Sequence, residues 1–353
     1  MTHPLIARIR IKHLRHNYLW LKKYHQGPLL AVVKSDAYGH GMVQCAKAMA
    51  DIADGFAIMY LEEAILLRTQ GIRNPILLLE GLIKKSDLNE VAHHNLWLTV
   101  QSEEQLLALT TSSCARPLQI WLKMDTGMHR GGITPDQYEA TYYQLAKHPN
   151  VKDIVYMTHF ACADDTQNTI TSQQIAQFDK TCESLPIHPV SIAASSAILG
   201  HPNTHRGWGR AGIALYGVSP LSKETHHALK PVMSLCTILF GIHPIESGQA
   251  IGYGATFTTT RSTLVGIVAC GYGDGYPQLA TNGTLVKVGD HLCPIIGRPS
   301  MNFITIDLTD IPPQQIGNPV ELWGDNIDVN TVAGSAKTSA YEVLCHIKTT
   351  QLQ

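Results

Sequence analysis

The sequence predicts an α/β protein: an N-terminal (β/α)8 barrel of TIM type over residues 1–228, followed by a mostly β C-terminal domain over residues 229–353. Three observations carry this. Short apolar runs alternate with helix-period stretches through the first two-thirds of the chain. Eight such runs fit into that stretch, which suits a closed barrel better than an open doubly wound sheet. After residue 228 the texture changes to short β-rich runs divided by Gly, Asp and Pro.

The candidate strands are Leu29–Lys34, Gly55–Tyr60, Pro75–Glu80, Leu96–Val100, Leu118–Met124, Asp153–His159, Pro189–Ala194 and Gly209–Tyr216. Between them, "MVQCAKAMADI", "LEEAILLRTQG" and "TSQQIAQFDKTCESL" carry helical spacing. Thr171 is expected to cap the last of these, with Gln174 three residues on as its reciprocal partner. In the second domain, "SLCTILFGIHPI", "TLVGIVACGYG", "GTLVKVGDHLCPIIG", "FITIDLTD" and "NPVELWG" read as strands, and Gly289-Asp290 as a tight hairpin turn.

Composition excludes several classes. With 353 residues the chain is long enough for two domains, and its net charge of −1 gives no reason to expect nucleic acid or an acidic membrane surface. The N-terminus, "MTHPLIARIRIKHLRHNY", scatters basic residues through its apolar ones and has no signal-peptide core; no run is long enough to span a membrane. The 8 cysteines occur without a C-x-x-C pair, which suits free thiols in a reducing, cytoplasmic setting. The doublets His93-His94 and His226-His227 sit among polar residues and read as surface, and no metal site is expected.

A barrel keeps its chemistry at the C-terminal ends of its strands. There the sequence puts Lys34, then Asp125 and Arg130 of "KMDTGMHRGG", then His159, Ser195 and Ser196, and Arg210 with Gly212. Singly these have plainer readings: a snorkelling lysine, a core histidine, helix-capping serines, an ion pair between Asp125 and Arg130. Together they describe a site. Hydroxyls and glycine amides after the last two strands suit a phosphate, and a lysine across the mouth suits an imine with a carbonyl. Phosphate, aldehyde and ring together point to pyridoxal 5′-phosphate. "GWGRAG" matches the dinucleotide fingerprint G-x-G-x-x-G by letter, but it runs into "IALYGV", an apolar strand, where the fingerprint opens a helix.

"AVVKSDAYGHG" resembles the pyridoxal-binding signature of bacterial alanine racemases. The resemblance continues, collinearly over nearly the whole chain, in "LKMDTGMHRGG", "THFACAD", "GRAGIALYG", "IGYGATF", "GYGDGYP", "GRPSMNFITIDLTD" and "YEVLC". It implies that Lys34 holds the cofactor and is one catalytic base. Tyr38, Ser196, Gly212, Ile213 and Tyr341 would contact the phosphate, His159 would support the ring, and Arg210 would meet the pyridine nitrogen. Tyr253 would be the opposite base, reaching the partner's site in a head-to-tail homodimer. Arg130 and Met301 would bind the substrate carboxylate. Lys123 aligns with a lysine often carbamylated in the family, and Tyr272 and Arg298 with residues lining the channel by which substrate enters.

The implied reaction interconverts L- and D-alanine, an isomerase activity that would supply D-alanine for peptidoglycan or, alternatively, serve its catabolism. Racemisation removes the α-proton from one face and returns one on the other, so two bases on opposite sides are wanted, a lysine and a tyrosine whose pKa is drawn below about 10. The chain departs from the family in Asn302 where aspartate is usual, Gln278 where arginine is common, and the ending "CHIKTTQLQ". The competing readings are a racemase of the same fold acting on serine or a broader set of amino acids, a related decarboxylase of basic amino acids, and a non-catalytic pyridoxal-binding protein. The last is a single barrel without a β domain.

Overall fold

A computed structural model describes residues 4–221, 228–347 and 350–352; the doublet His226-His227 and part of the chain's C-terminal ending lie outside the described residues. Two compact units form, one of residues 15–37 and 42–229, the other of residues 1–14, 38–41 and 230–353.

The first strand, β1 (Ile6–Ile9), departs from the expected division. It pairs antiparallel with β10 (Met233–Ile245), so the chain begins in the second unit's sheet. Its alternating burial suits an antiparallel sheet with one covered face.

The barrel strands are β2 (Leu29–Val32), β3 (Gly55–Ile58), β4 (Ile76–Leu78), β5 (Trp97–Val100), β6 (Leu118–Lys123), β7 (Val151–Met157), β8 (Val190–Ser191) and β9 (Gly209–Ala211). They form one parallel eight-stranded sheet in the order β8-β7-β6-β5-β4-β3-β2-β9. Single bridges near the ends of β8 and β9, such as Ala194 to Arg210, bring the sheet close to full closure. All eight expected strands are present. β2, β3 and β4 are buried at every residue, as a sheet covered on both faces requires. Trp208, preceding β9, lies 5.2 Å from Trp97 of β5 and 6.0 Å from Trp121 of β6. Three strands separate β9 from β5 in the sheet, so these contacts cross the barrel interior, which is filled rather than hollow.

Two sequence expectations need correction here. "IALY" is not a strand: β9 stops at Ala211 and Ile213–Tyr216 forms a short, tight helical turn ended by Gly217 at φ 85°. The dinucleotide fingerprint still fails, because its glycines enclose a strand instead of following one. Thr171 is not a cap. The helix runs Ile170–Cys182, Asn168 Oδ1 accepts from the Ile170 N–H at 2.9 Å, and Thr171 is buried inside the first turn. Gln174 faces the barrel, where its Oε1 accepts from the Ala161 N–H and its Nε2 donates to Thr126 Oγ1.

The second unit holds the mostly β domain. Its larger sheet runs β15-β14-β17-β10-β1-β18, where β14 is Leu285–Val288, β15 His291–Pro294, β17 Pro319–Trp323 and β18 Thr350–Leu352. The Gly289-Asp290 turn joins β14 to β15, with Gly289 at φ 56°. β13 (Thr263–Val268) leaves this sheet from β10 and pairs with β16 (Ile304–Asp307). A small separate hairpin joins β11 (Ala250–Ile251) and β12 (Phe257–Thr258), held down by Ile251, Val265 and Ile296. The described part ends in the helices Val329–Ser335 and Ala340–Cys345 and the strand β18.

Candidate active site

In the barrel unit, Lys34 follows β2 at the C-terminal end of the sheet. The chain then does something rare. Ser35, Asp36, Ala37 and Tyr38 all have φ between 51° and 55°, and Gly39 follows at 78°. This is a left-handed helical turn, in which each L-residue costs about 1–2 kcal/mol. It is over-determined by its neighbours. Asp36 Oδ1 accepts from the Met42 N–H at 2.7 Å, and Glu63 Oε1 accepts from the Ser35 N–H at 3.2 Å.

Around His159 the barrel gathers four cations: Arg210, Arg130, Lys123 and Lys34. Arg210, on β9, is only 3 % exposed. Its Nη1 donates to the Ser191 carbonyl and hydroxyl, at 2.7 and 2.6 Å. Its Nη2 donates to the Thr158 carbonyl at 2.8 Å and to His159 Nδ1 at 3.3 Å. Burial pulls its pKa down to about 10, which leaves it protonated at neutral pH. Burial first, then the four cations, hold His159 well below the usual histidine value. A neutral imidazole that accepts at Nδ1 is the form Arg210 can donate to.

Lys123, at the end of β6, is 6 % exposed. Burial pushes its amine down, Glu80 and Asp125 oppose this, and Arg130 and Arg210 add to it. Its Nζ donates to Gln101 Oε1 at 2.6 Å. Asp125 and Arg130 do not form the ion pair that one plain reading allowed. Asp125 Oδ1 instead accepts the N–H groups of Gly127, Met128 and His129 at 3.0–3.1 Å, and its Oδ2 faces the His129 ring. Burial disfavours this carboxylate, but the donors of His129 and Gly127 outweigh it and hold its pKa below the usual range. The loop leading to Arg130 is thus tied by Asp125. It turns through Gly131 and Gly132 at φ 144° and 136°, and a Cβ on Gly132 would lie 2.4 Å from the Asp125 nitrogen.

Ser196 lies in the first turn of Ser195–Gly200 and is partly buried. Ser195, its neighbour, accepts from the Gly212 and Ala214 N–H groups at 2.8 and 3.3 Å. The Gly212 amide is therefore engaged by a protein hydroxyl, while Ile213 opens the following turn beside it.

The second unit carries the remaining candidates. Tyr38 belongs here, with its ring 5.9 Å from that of Tyr341 on the helix Ala340–Cys345. Gly39 presses on the same helix, since a Cβ there would come 2.2 Å from the Leu344 carbonyl oxygen. Burial, then Tyr341 and Cys345, push the Tyr38 phenol far up, so it stays protonated and able to donate. Tyr253 stands at the tip of the β11–β12 hairpin, 70 % exposed, between Gly252 and Gly254 at φ 70° and 75°. The backbone of Gly252 abuts Gly297 and Arg298. The Tyr272 and Gly273 N–H groups donate to the Ser300 and Met301 carbonyls, which sets Tyr272 and Met301 side by side. Arg298, Met301, Asn302, Tyr272 and Gln278 are all exposed.

Four participants escaped sequence reasoning: Ser191, Thr158, Gln101 and Glu80. Glu80 and Gln101 sit at the ends of the third and fourth expected strands, so the strand-end rule that found Lys34 could have found them.

Comparison with known proteins finds two family models. Residues 9–220 match the family model "Alanine racemase, N-terminal domain", and residues 232–352 match "Alanine racemase, C-terminal domain". A relative from Neisseria meningitidis, named alanine racemase, is 48% identical over 345 residues, covering 98% of this chain and 97% of its own. The crystal structure of biosynthetic alanine racemase from Pseudomonas aeruginosa superposes with a TM-score of 0.97 at 38% identity, covering 100% of both chains. That of alanine racemase from Bartonella henselae, with covalently bound pyridoxal phosphate, gives 0.88 at 27% identity, covering 99% of both.

Proposed function

The chain belongs to the alanine racemase family, and we propose from this that it is an isomerase interconverting L- and D-alanine on pyridoxal 5′-phosphate. The observation that carries the reading is the cation cluster. Lys34, Lys123, Arg130 and Arg210 converge on His159, while Asp125 is spent on its own loop. So much positive charge at a barrel rim calls for anions, and a phosphorylated cofactor with an amino-acid carboxylate supplies them.

The residues present fit that cofactor. Lys34 would hold it covalently through its carbonyl carbon. Arg210 has five N–H donors, and the four on Nη1 and Nη2 are engaged by Ser191, Thr158 and His159, which leaves Nε–H for a ring nitrogen. Because a guanidinium keeps its proton, Arg210 would bind that nitrogen without protonating it. The protonated phenol of Tyr38, with Tyr341, Ser196 and the backbone at Gly212 and Ile213, would meet the phosphate, and the neutral imidazole of His159 would lie against the ring. When bound, the cofactor supplies an electron sink that acidifies the Cα–H of an attached amino acid.

The protein's own part is then to hold the substrate and move one proton. Arg130 and Met301 would fix the carboxylate. Lys34 Nζ would take or return the α-proton on one face and Tyr253 Oη on the other. A tyrosine 70 % exposed on a hairpin tip has no substrate of its own to touch in that hairpin, which supports delivery to the site of a partner subunit in a head-to-tail homodimer. Exposed Phe240, Leu292 and Phe303 on the same unit favour such an interface. The lowered amine of Lys123 is the form that takes up carbon dioxide, so carbamylation there belongs to the same reading. Tyr272 and Arg298 would line the substrate's way in, beside the atypical Asn302 and Gln278. Supply of D-alanine for peptidoglycan, in the cytoplasm, is the proposed role; among the described residues no helix is long and apolar enough to cross a membrane.

The test is direct. The purified protein should absorb visible light, lose that absorbance on borohydride reduction at Lys34, and convert L-alanine to D-alanine faster than it converts serine. Colourless protein that takes up no added pyridoxal phosphate would sink the cofactor claim, and faster turnover of serine would move the assignment to a serine-type racemase.

A further inference from the structure

Gln101 leaves the C-terminal end of β5 and joins three strand ends to the Arg130 loop. Its Nε2 donates to both the backbone carbonyl and the Oε2 of Glu80, each at 3.0 Å. Two acceptors on that side identify the nitrogen, so Oε1 is the end that accepts from Lys123 Nζ at 2.6 Å. The Gln101 carbonyl accepts from the Gly132 N–H at 3.1 Å. Its own N–H donates to Gln105 Oε1, and Gln105 Nε2 returns to the Glu80 carbonyl at 2.7 Å. The loop rides directly on the Gln101–Lys123 bond, for a Cβ on Gly131 would stand 2.9 Å from Gln101 Oε1 and 3.6 Å from Lys123 Nζ.

From this geometry we infer that Gln101 is a positioning residue, which acts through Lys123 and the Gly131-Gly132 backbone to set where Arg130 presents its guanidinium to the substrate carboxylate. The inference rests on the proposed reading of Arg130. Lys123 is too buried to turn to water, so Gln101 Oε1 is the partner that fixes its nitrogen. A carbamylated Lys123 would keep one N–H for that bond, so the amide anchors the lysine in either form. A carboxylate in place of the amide would face Glu80.

Gln101→Met keeps the length of the side chain and removes the acceptor. In the holoenzyme it is expected to raise KM for both alanine enantiomers about tenfold, as loss of one orienting hydrogen bond to a charged group would. kcat should stay within about threefold, with unchanged cofactor absorbance. Inhibition by propionate, a bare carboxylate, should weaken in parallel. Gly131→Ala, which crowds the same contact with Gln101 intact, should give the same pattern, and serves should Gln101→Met fail to fold. In an Arg130→Ala background the Gln101 effect should vanish. An unaltered KM in Gln101→Met, an equal fall in kcat, or additivity with Arg130→Ala would overturn the inference while leaving Arg130's role intact. An Arg130→Ala enzyme with normal KM would instead overturn the Arg130 assignment, and Gln101's role with it.

Discussion

Lys34 and Tyr253, the two residues proposed to exchange the α-proton, stand in contrasting surroundings. Lys34 sits at the end of a strand buried at every residue, among cations whose places are fixed by Ser191, Thr158, Gln101 and Asp125. Tyr253 sits on a two-residue-per-strand hairpin with 70 % of its surface open. One base is built into a rigid rim, and the other is offered outward. In such an arrangement the rim should carry stability as well as chemistry, while the hairpin should carry chemistry alone.

The largest expected effect tests whether the two bases meet across subunits. Lys34→Ala and Tyr253→Phe should each lower turnover by roughly 10²–10⁴-fold, the usual worth of a positioned acid or base. If the site is shared, random mixing gives heterodimers in half the population, each with one intact site, so about a quarter of wild-type activity should return. No recovery in heterodimers confirmed by mass spectrometry would mean that Tyr253 does not serve a partner.

Stability should divide the other way. Arg210→Met removes the donor of the buried Thr158 carbonyl and leaves the Ser191 carbonyl only the Thr158 N–H, and should cost about 2–4 kcal/mol in denaturant unfolding. Tyr253→Phe should stay within about 0.5 kcal/mol of wild type, because an exposed hydroxyl on a hairpin tip holds nothing. A Tyr253→Phe protein as damaged as Arg210→Met would erase the contrast.

How much of this contrast was legible beforehand depends on how local its causes are. The eight barrel strands could be read because a sheet covered on both faces writes short, mostly apolar runs into the chain, and the Gly289-Asp290 hairpin because its turn residues are adjacent. β1 could not be placed, since its partners lie more than two hundred residues away in β10. "IALY" has the composition of a strand but follows Gly212, where the chain turns. Thr171 is not the cap because the helix starts two residues earlier than a Thr171 cap requires, with Thr169 at the N-cap position and Asn168 accepting the Ile170 N–H, which buries the Thr171 hydroxyl. At the site, cations at strand ends stood out while Glu80 and the neutral Gln101 did not, although the same rule applied to both. Nothing in "SDAY" signals four consecutive left-handed residues, because none of them prefers that conformation.

Acid should expose the rim's charge crowding. His159 is held below its unfolded value of about 6.5. Below that pH the unfolded chain binds a proton that native His159 refuses, so stability is full above about pH 6.5 and falls with acid, by at most about 1.4 kcal/mol per pH unit for one group. Burial lowers His25 in the same direction, so a His159→Gln protein should show a shallower acid limb in melting temperature between pH 7 and 5, not a flat one. An unchanged limb would mean that His159 charges freely in the folded state.

The smallest effect concerns how the two regions reach positive φ. The hairpin uses glycine on both sides of Tyr253, at little steric cost. The rim uses Ser35, Asp36, Ala37 and Tyr38, each strained by its own Cβ. Ser35 is exposed at φ 54°, and its N–H bond to Glu63 survives any substitution but proline. Ser35→Gly should therefore relieve strain without losing a contact. Glycine's larger unfolded-state entropy takes back part of the relief, leaving a gain of about 0.5–1 kcal/mol. It would appear as a higher denaturant midpoint at unchanged slope. A lower midpoint would show that the turn beside Lys34 stores no strain at this position, and the rim would then differ from the hairpin in burial alone.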